Sequence, residues 1–237
     1  MVNVIIPMAG EGSRFPKDQY LPKPLIDVNG KPMIVRAIES LDIKGQYYFI
    51  IRQNEYTNIV KEIIGKVVKD PKFVEITKTT DGPACSALLF KQFINNDNEL
   101  VIANCDQIME WDSNLFFHNV RLYDGAVVTY YSDTDKNSYA RLDKKGHVTE
   151  IREKEVISNI SLNGIHYWKQ GKNFVSSAEQ MIDADDTAPN GEFYIAPTYN
   201  YMIGAGLKVG IHHIPNEQHH AVGVPVDLER FLKHEKT

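Results

Sequence analysis

Two cations, Arg14 and Lys23, sit close to a pair of glycines in the run Pro7-Met8-Ala9-Gly10-Glu11-Gly12-Ser13-Arg14-Phe15 and in Pro22-Lys23-Pro24-Leu25 just after it. Glycines at 10 and 12 let the backbone turn tightly and bring bare N–H groups close to a ligand. A polyphosphate wants amide donors in a concave nest with fixed positive charge around them. Met8, Ala9, Gly10, Gly12 and Ser13 therefore read as a nucleotide-binding loop, and Arg14 and Lys23 as the catalytic cations of phosphate chemistry. A Gly-x-Gly after a strand is also an ordinary turn, and two sharper alternatives fail on detail. A dinucleotide fingerprint needs a third glycine at position 15, which is Phe. A Walker A loop needs Gly-Lys-Ser or Gly-Lys-Thr, and neither occurs in the chain.

The elements that must hold this loop can be read from periodicity. Val2 to Ile6 is a β-branched run and predicts a buried first strand. Pro32 suits the first turn of a helix to about Leu41, with Ile34, Ala37, Ile38 and Leu41 on one face. A strand over Tyr47 to Ile51 precedes a helix capped by Asn54, in which Ile59, Ile63 and Val67 recur at helical spacing. A strand over Phe73 to Ile76, a helix over about Ala84 to Phe93 and a buried strand over Leu100 to Ala103 follow. Such alternation predicts a parallel sheet covered on both faces, with ligands beyond the strands' carboxyl ends. Asn104-Cys105-Asp106 falls at that edge. The second half predicts a strand from Ala126 to Tyr131 and a hairpin turning at Asp143 to Gly146. Further strands are expected at Gly164 to Trp168 and Lys208 to Ile214. Helices are expected at Phe174 to Ile182, near Pro197 and from Pro225. The fold class expected is α/β, Rossmann-like, with a mostly parallel sheet and a smaller lobe. Residues 1–237 read as a single domain, with about 1–125 as the nucleotide-binding half and about 126–237 as an acceptor-binding lobe with a terminal helix.

With Gly30-Lys31-Pro32-Met33-Ile34 added, the glycine loop and the Pro-Lys-Pro-Leu segment resemble the nucleotidyltransferase family that makes nucleotide sugars and related activated phosphates. The resemblance implies a GT-A-like nucleotidyltransferase fold. It also implies transfer of a nucleotidyl group from an NTP, CTP or UTP favoured, to a phosphorylated small molecule such as a sugar 1-phosphate, with release of pyrophosphate. It makes Asp106 a ligand of Mg²⁺ and Asn104 a nucleotide contact. Asp227, in Gly223-Val224-Pro225-Val226-Asp227-Leu228, becomes a second metal carboxylate, although Val224 stands where relatives often carry Thr. Gly82 and Ala84 match a loop that meets the nucleobase. Glu153-Lys154, Asn163-Gly164 and Glu192-Phe193-Tyr194 resemble acceptor-binding segments, which assigns Lys154, Asn163, Gly164, Glu192 and Tyr194 to the acceptor. Choline phosphate or phosphoglutamine are alternative acceptors of small relatives. A regulatory domain that binds nucleotide without turnover, or a glycosyltransferase, would share parts of this pattern. The first has no need of Arg14, Lys23 and Asp106 together, and the second no need of a triphosphate loop.

The remaining residues bound the reading. A chain of 237 residues, 43% hydrophobic and 24% charged, can bury a full core. A net charge of −5 disfavours nucleic acid as the main partner. No stretch has membrane-spanning length and no leader opens the sequence, so a cytoplasmic protein without a membrane partner is expected. Its two cysteines, Cys85 and Cys105, fit a reducing compartment. A homo-oligomer is compatible with all of this. The pairs His212-His213 and His219-His220 invite a zinc reading, but neighbours on a strand point to opposite faces, so neither pair converges on one ion.

Overall fold

A computed structural model of the chain describes residues 1–10, 12–16 and 18–234. The first strand, Val2–Pro7, lies between Gln46–Arg52 and Glu99–Ile102, parallel to both, and Lys72–Ile76 extends the sheet beyond Gln46–Arg52. Ile5 faces Tyr48 on one side and Ile102 on the other. Its neighbours Val4 and Ile6 point to the opposite face, so successive residues feed two separate cores. That double burial is why the strand reads as a continuous apolar run.

Beyond Glu99–Ile102 the sheet changes character. Ile160–Trp168 pairs with it antiparallel, then receives Gly125–Tyr131 and the hairpin Ser138–Leu142/Val148–Glu153, while Val209–His213 joins Gly125–Tyr131 in parallel. Among the described residues the sheet has nine strands and is mixed: parallel from Glu99–Ile102 out to Lys72–Ile76 and again where Val209–His213 meets Gly125–Tyr131, antiparallel elsewhere. In the hairpin turn the Asp143 carboxylate accepts from the amides of Lys145 and His147, and Gly146 takes the left-handed φ of +82°.

Several expected elements are corrected. The second helix is Thr57–Val67, and Asn54 forms a turn ahead of it, accepting from Tyr56 N–H at 2.8 Å. Its buried face is Thr57, Val60 and Ile64; Ile59 and Val67 are exposed and Ile63 is half-buried. One residue of register separates these two apolar stripes, and only the sheet beneath decides between them. The helix expected over 84–93 is two short ones, Pro83–Leu88 and Lys91–Ile94, separated where Leu89 and Phe90 donate to the carbonyls of Ser86 and Ala87, three residues back. A helix over Ser113–Val120 was not expected, although Asp112 caps it by accepting from Asn114 and Leu115.

A third cluster lies apart from the sheet cores. Phe15, Ile26, Val28, Met33, Ile108, Val222, Leu228 and Phe231 pack together, joining the loop after the first strand to the terminal helix Pro225–His234. Among the described residues no helix is long and apolar enough to cross a membrane.

Candidate active site

The carboxyl ends of three parallel strands open into one cleft of about 670 Å³. The first strand hands over to Met8, whose N–H bonds Ile50 O at 2.9 Å, and then to the glycine loop. Gly12 has φ +62° and would set a Cβ 3.5 Å from the Lys23 Cβ, so the loop turns directly over Lys23. Phe15, only 3% exposed and edge-on to Tyr20, anchors the far end of the loop in the third cluster. Glu11, within the loop, lies outside the described residues. Pro22 and Pro24 flank Lys23 in a short 3₁₀ turn, Lys23–Leu25, which restricts the backbone on either side of it.

Met8, Gly10, Gly12, Ser13, Arg14, Lys23, Asn104 and Asp106 all line this cleft. Lys23 Nζ donates to Asp106 Oδ2 at 2.5 Å, with both side chains mostly shielded from solvent. Gly223 lies against the same carboxylate: a Cβ there would stand 2.4 Å from Asp106 Oδ2 and 3.5 Å from Lys23 Nζ. Val222 N–H bonds Asp106 O at 2.9 Å, fixing that approach. Ala9 is buried, and its carbonyl accepts from Arg52 Nε at 3.1 Å. Asp227, in the first turn of the terminal helix, accepts from Arg230 at 3.3 Å and is not among the cleft-lining residues. Cys105 is buried in the cleft wall beside the ion pair, and burial pushes its thiol up to about 12, which favours the neutral thiol over the nucleophilic thiolate.

The residues assigned to base and acceptor form a second group. Gly82, at φ +138°, packs on the Phe193 backbone, where a Cβ would fall 2.5 Å from both N and O. Ala84 N–H bonds Phe193 O and Phe193 N–H bonds Asp81 O, so the segments 81–84 and 192–194 run side by side. Lys154 Nζ donates to Tyr194 Oη at 2.5 Å and stands 4.5 Å from the centre of its ring. That hydrogen bond raises the Lys154 pKa above its ordinary value. Asn190 Nδ2 bridges Tyr194 Oη and Glu192. Lys154 holds a left-handed backbone, φ +56°, uncommon for a lysine and a pointer to function. Beside it the Glu153 carboxyl is raised by burial, an effect partly offset by a hydrogen bond from Ser138.

Asn163 and Gly164 form a bulge in Ile160–Trp168, where the register with Gly125–Tyr131 shifts. Gly164, at φ +94°, lets Asn104 approach so closely that a Cβ would be 2.1 Å from its Nδ2. The Asn163 side chain is buried and bonds within the fold, accepting from Ile165 N–H at 2.9 Å. Four residues missed from the sequence also line the cleft: Arg52, Asn54, Glu55 and Tyr56. Their signal was the same strand-end rule that placed Asp106, applied to Gln46–Arg52.

Mg²⁺ fits this donor set. It takes oxygen ligands, usually one or two carboxylates completed by substrate phosphates. The Asp106 carboxylate faces the cleft in a cradle that only glycine at 223 leaves open. A different cluster of residues of types that can ligate metals lies elsewhere: Glu110, His220 and His234. As expected, His219 and His220 diverge, one against Tyr130 and the other against Phe231. The partners of His220 come from other elements.

A parallel-strand edge carrying a glycine loop, two cations and a carboxylate defines an α/β fold whose cleft suits a polyphosphate. The chain belongs to the nucleotidyl transferase family, whose model matches residues 3–192. It is 25% identical over 214 residues to a bifunctional protein GlmU of Methanocaldococcus jannaschii, covering 89% of this chain. The chain spans about half the length of that relative, 49%. Its fold is similar to a nucleoside-diphosphate-sugar pyrophosphorylase of Vibrio cholerae RC9 (TM-score 0.84, 23% identity, 97% of this chain and 99% of the other). It is also similar to the inositol-1-phosphate CTP transferase of T. maritima (TM-score 0.73, 13% identity, 99% of this chain and 96% of the other).

Proposed function

We propose that the chain transfers a nucleotidyl group from an NTP to a phosphorylated small molecule of the sugar 1-phosphate kind, releasing pyrophosphate. The observation that carries this reading is the convergence of the glycine loop, Arg14, Lys23 and Asp106 in one cleft. Residues up to about 125 supply the nucleotide side and most of the rest the acceptor side. The terminal helix is the exception, returning to the glycine loop through Leu228 and Phe231.

In this mechanism an acceptor phosphate oxygen attacks the α-phosphorus, the bond from the α-phosphorus to the bridging oxygen breaks, and that oxygen leaves on pyrophosphate. The acceptor phosphate is largely ionised near neutral pH, with a second pKa of about 6, so no general base is needed. The amides of Gly10, Gly12 and Ser13 and the Arg14 guanidinium hold the leaving pyrophosphate. Lys23 leaves Asp106 to meet the α-phosphate, an exchange of one anionic partner for another. Asp106, with Asp227 as a second carboxylate, would hold Mg²⁺, which supplies Lewis-acid charge neutralisation. Met8, Ala9, Asn104, Gly82 and Ala84 shape the nucleoside side. Lys154, Tyr194 and Glu192 bind the acceptor, with the Lys154 ammonium taking its phosphate; Asn163 and Gly164 act by shaping the bulge beneath.

CTP or UTP is the favoured nucleotide, and the solved structures of similar fold include both a CTP transferase and a UDP-glucose pyrophosphorylase. Choline phosphate or phosphoglutamine remain the alternative acceptors. Pyrophosphate release measured for each NTP against a panel of phosphorylated acceptors tests the reading. Release that requires one NTP and one acceptor together supports it, and nucleotide binding without turnover on any acceptor would leave a regulatory domain.

A further inference from the structure

We propose that Glu110, His220 and His234 form a site for one divalent transition ion of the zinc type, separate from the cleft. The three side chains offer ligand atoms that all lie within 4.8 Å of one another. His220 Nε2 is 3.0 Å from Glu110 Oε1, and the His220 and His234 rings are 5.2 Å apart.

Each ligand comes from a different element. Glu110 follows the short strand Gln107–Met109 and donates its N–H to Gln218 O at 2.9 Å. His220 lies in His219–Ala221, paired antiparallel with that strand opposite Ile108. His234 ends the terminal helix. His220 is the fixed member: its side chain is only 14% exposed and its ring rests 5.1 Å from that of Phe231. Glu110 and His234 are exposed, and bonding one ion requires their side chains to turn toward His220.

The donor set selects the ion. Two imidazole nitrogens and one carboxylate suit Zn²⁺, Co²⁺ or Ni²⁺, whereas Mg²⁺ prefers oxygen throughout. Three protein ligands leave a fourth tetrahedral position for water. The ion would fasten the terminal helix to the two-stranded sheet, whose next residues, Val222 and Gly223, reach Asp106. The competing account is a hydrogen bond between His220 and Glu110 alone, with His234 simply ending its helix. That account needs no metal.

The test uses the full chain, stripped with a chelator and titrated with ZnCl₂ by calorimetry, with CoCl₂ as a spectroscopic probe. One Zn²⁺ should bind per chain, unaffected by excess Mg²⁺, and Co²⁺ should give the intense visible bands of four-coordinate nitrogen and oxygen ligation. Zn²⁺ should raise the Tm and chelator should reverse it. His234→Ala removes an exposed side chain and should retain the fold while weakening Zn²⁺ at least about tenfold; His220→Gln and Glu110→Gln should do the same. No saturable Zn²⁺ binding to the wild type would overturn the site. Undiminished binding in His234→Ala and His220→Gln would also overturn it, by placing the ion on other histidines.

Discussion

Lys23 and Asp106 neutralise each other across the cleft, so each holds the other where a triphosphate would need both. Replacing Lys23 by Ala leaves Asp106 without its cation, and replacing Arg14 by Ala removes an exposed loop charge. Both variants should fold and lose about 10²- to 10³-fold in pyrophosphate release, the usual cost of a lost transition-state contact. Wild-type turnover in either would end its catalytic assignment. Gly223→Ala gives a cleaner probe, because no charge changes. Its methyl must displace the Asp106 carboxylate from 2.4 Å, so turnover should fall on the order of 10²-fold. The Tm, read by calorimetry, should move little, because Gly223 contributes no side chain to the core.

At the scale of elements, in the proposed function the bulge at Asn163-Gly164 shapes the acceptor side, while the paired segments 81–84 and 192–194 join the nucleoside side to it. Gly164→Ala combines a left-handed backbone with a collision against Asn104. A loss of about 1–3 kcal/mol in denaturant unfolding is expected. The KM for NTP should rise as well, since Asn104 is what yields. Lys154→Ala acts differently, removing an exposed ammonium and its hydrogen bond to Tyr194. The acceptor KM should rise on the order of tenfold, the worth of one charge-assisted hydrogen bond, with the NTP KM nearly unchanged. Steady-state kinetics with each substrate varied in turn separates the two effects.

At the scale of the whole molecule, a buried histidine links stability to pH. His166 stacks beside Trp168 and Tyr199, its Nδ1 finds no partner among the described residues, and burial lowers its pKa to about 3. Its pKa is depressed in the folded state, so between about 6.5 and 3 the unfolded chain binds the extra proton. Stability therefore falls on acidification through that window, by up to about 1.4 kcal/mol per pH unit from this residue. His166→Phe keeps a ring and removes the titration. Its unfolding free energy should depend less steeply on pH than the wild type's, and an identical slope would contradict the assignment.

The local patterns in the chain determined the first strand, the glycine loop, the helix after Pro32, the hairpin at Asp143 to Gly146 and the terminal helix from Pro225. Each rests on short-range physics: β-branched runs, proline at a helix start, and turn residues that satisfy their own backbone. The same patterns placed Arg14, Lys23 and Asp106 at one edge, because strand ends in an alternating α/β chain share a side. Other features depended on contacts remote in sequence. Which of two adjacent stripes on Thr57–Val67 faces inward was settled by the sheet it covers. The antiparallel return of Ile160–Trp168 onto Glu99–Ile102 brought Gly164 against Asn104. Packing of Phe15 with Leu228 and Phe231 carried Gly223 to Asp106, and the pairing of Gln107–Met109 with His219–Ala221 set His220 beside Glu110. Local propensity carries no information about such long-range meetings, because they form only when buried surfaces from distant segments fit together.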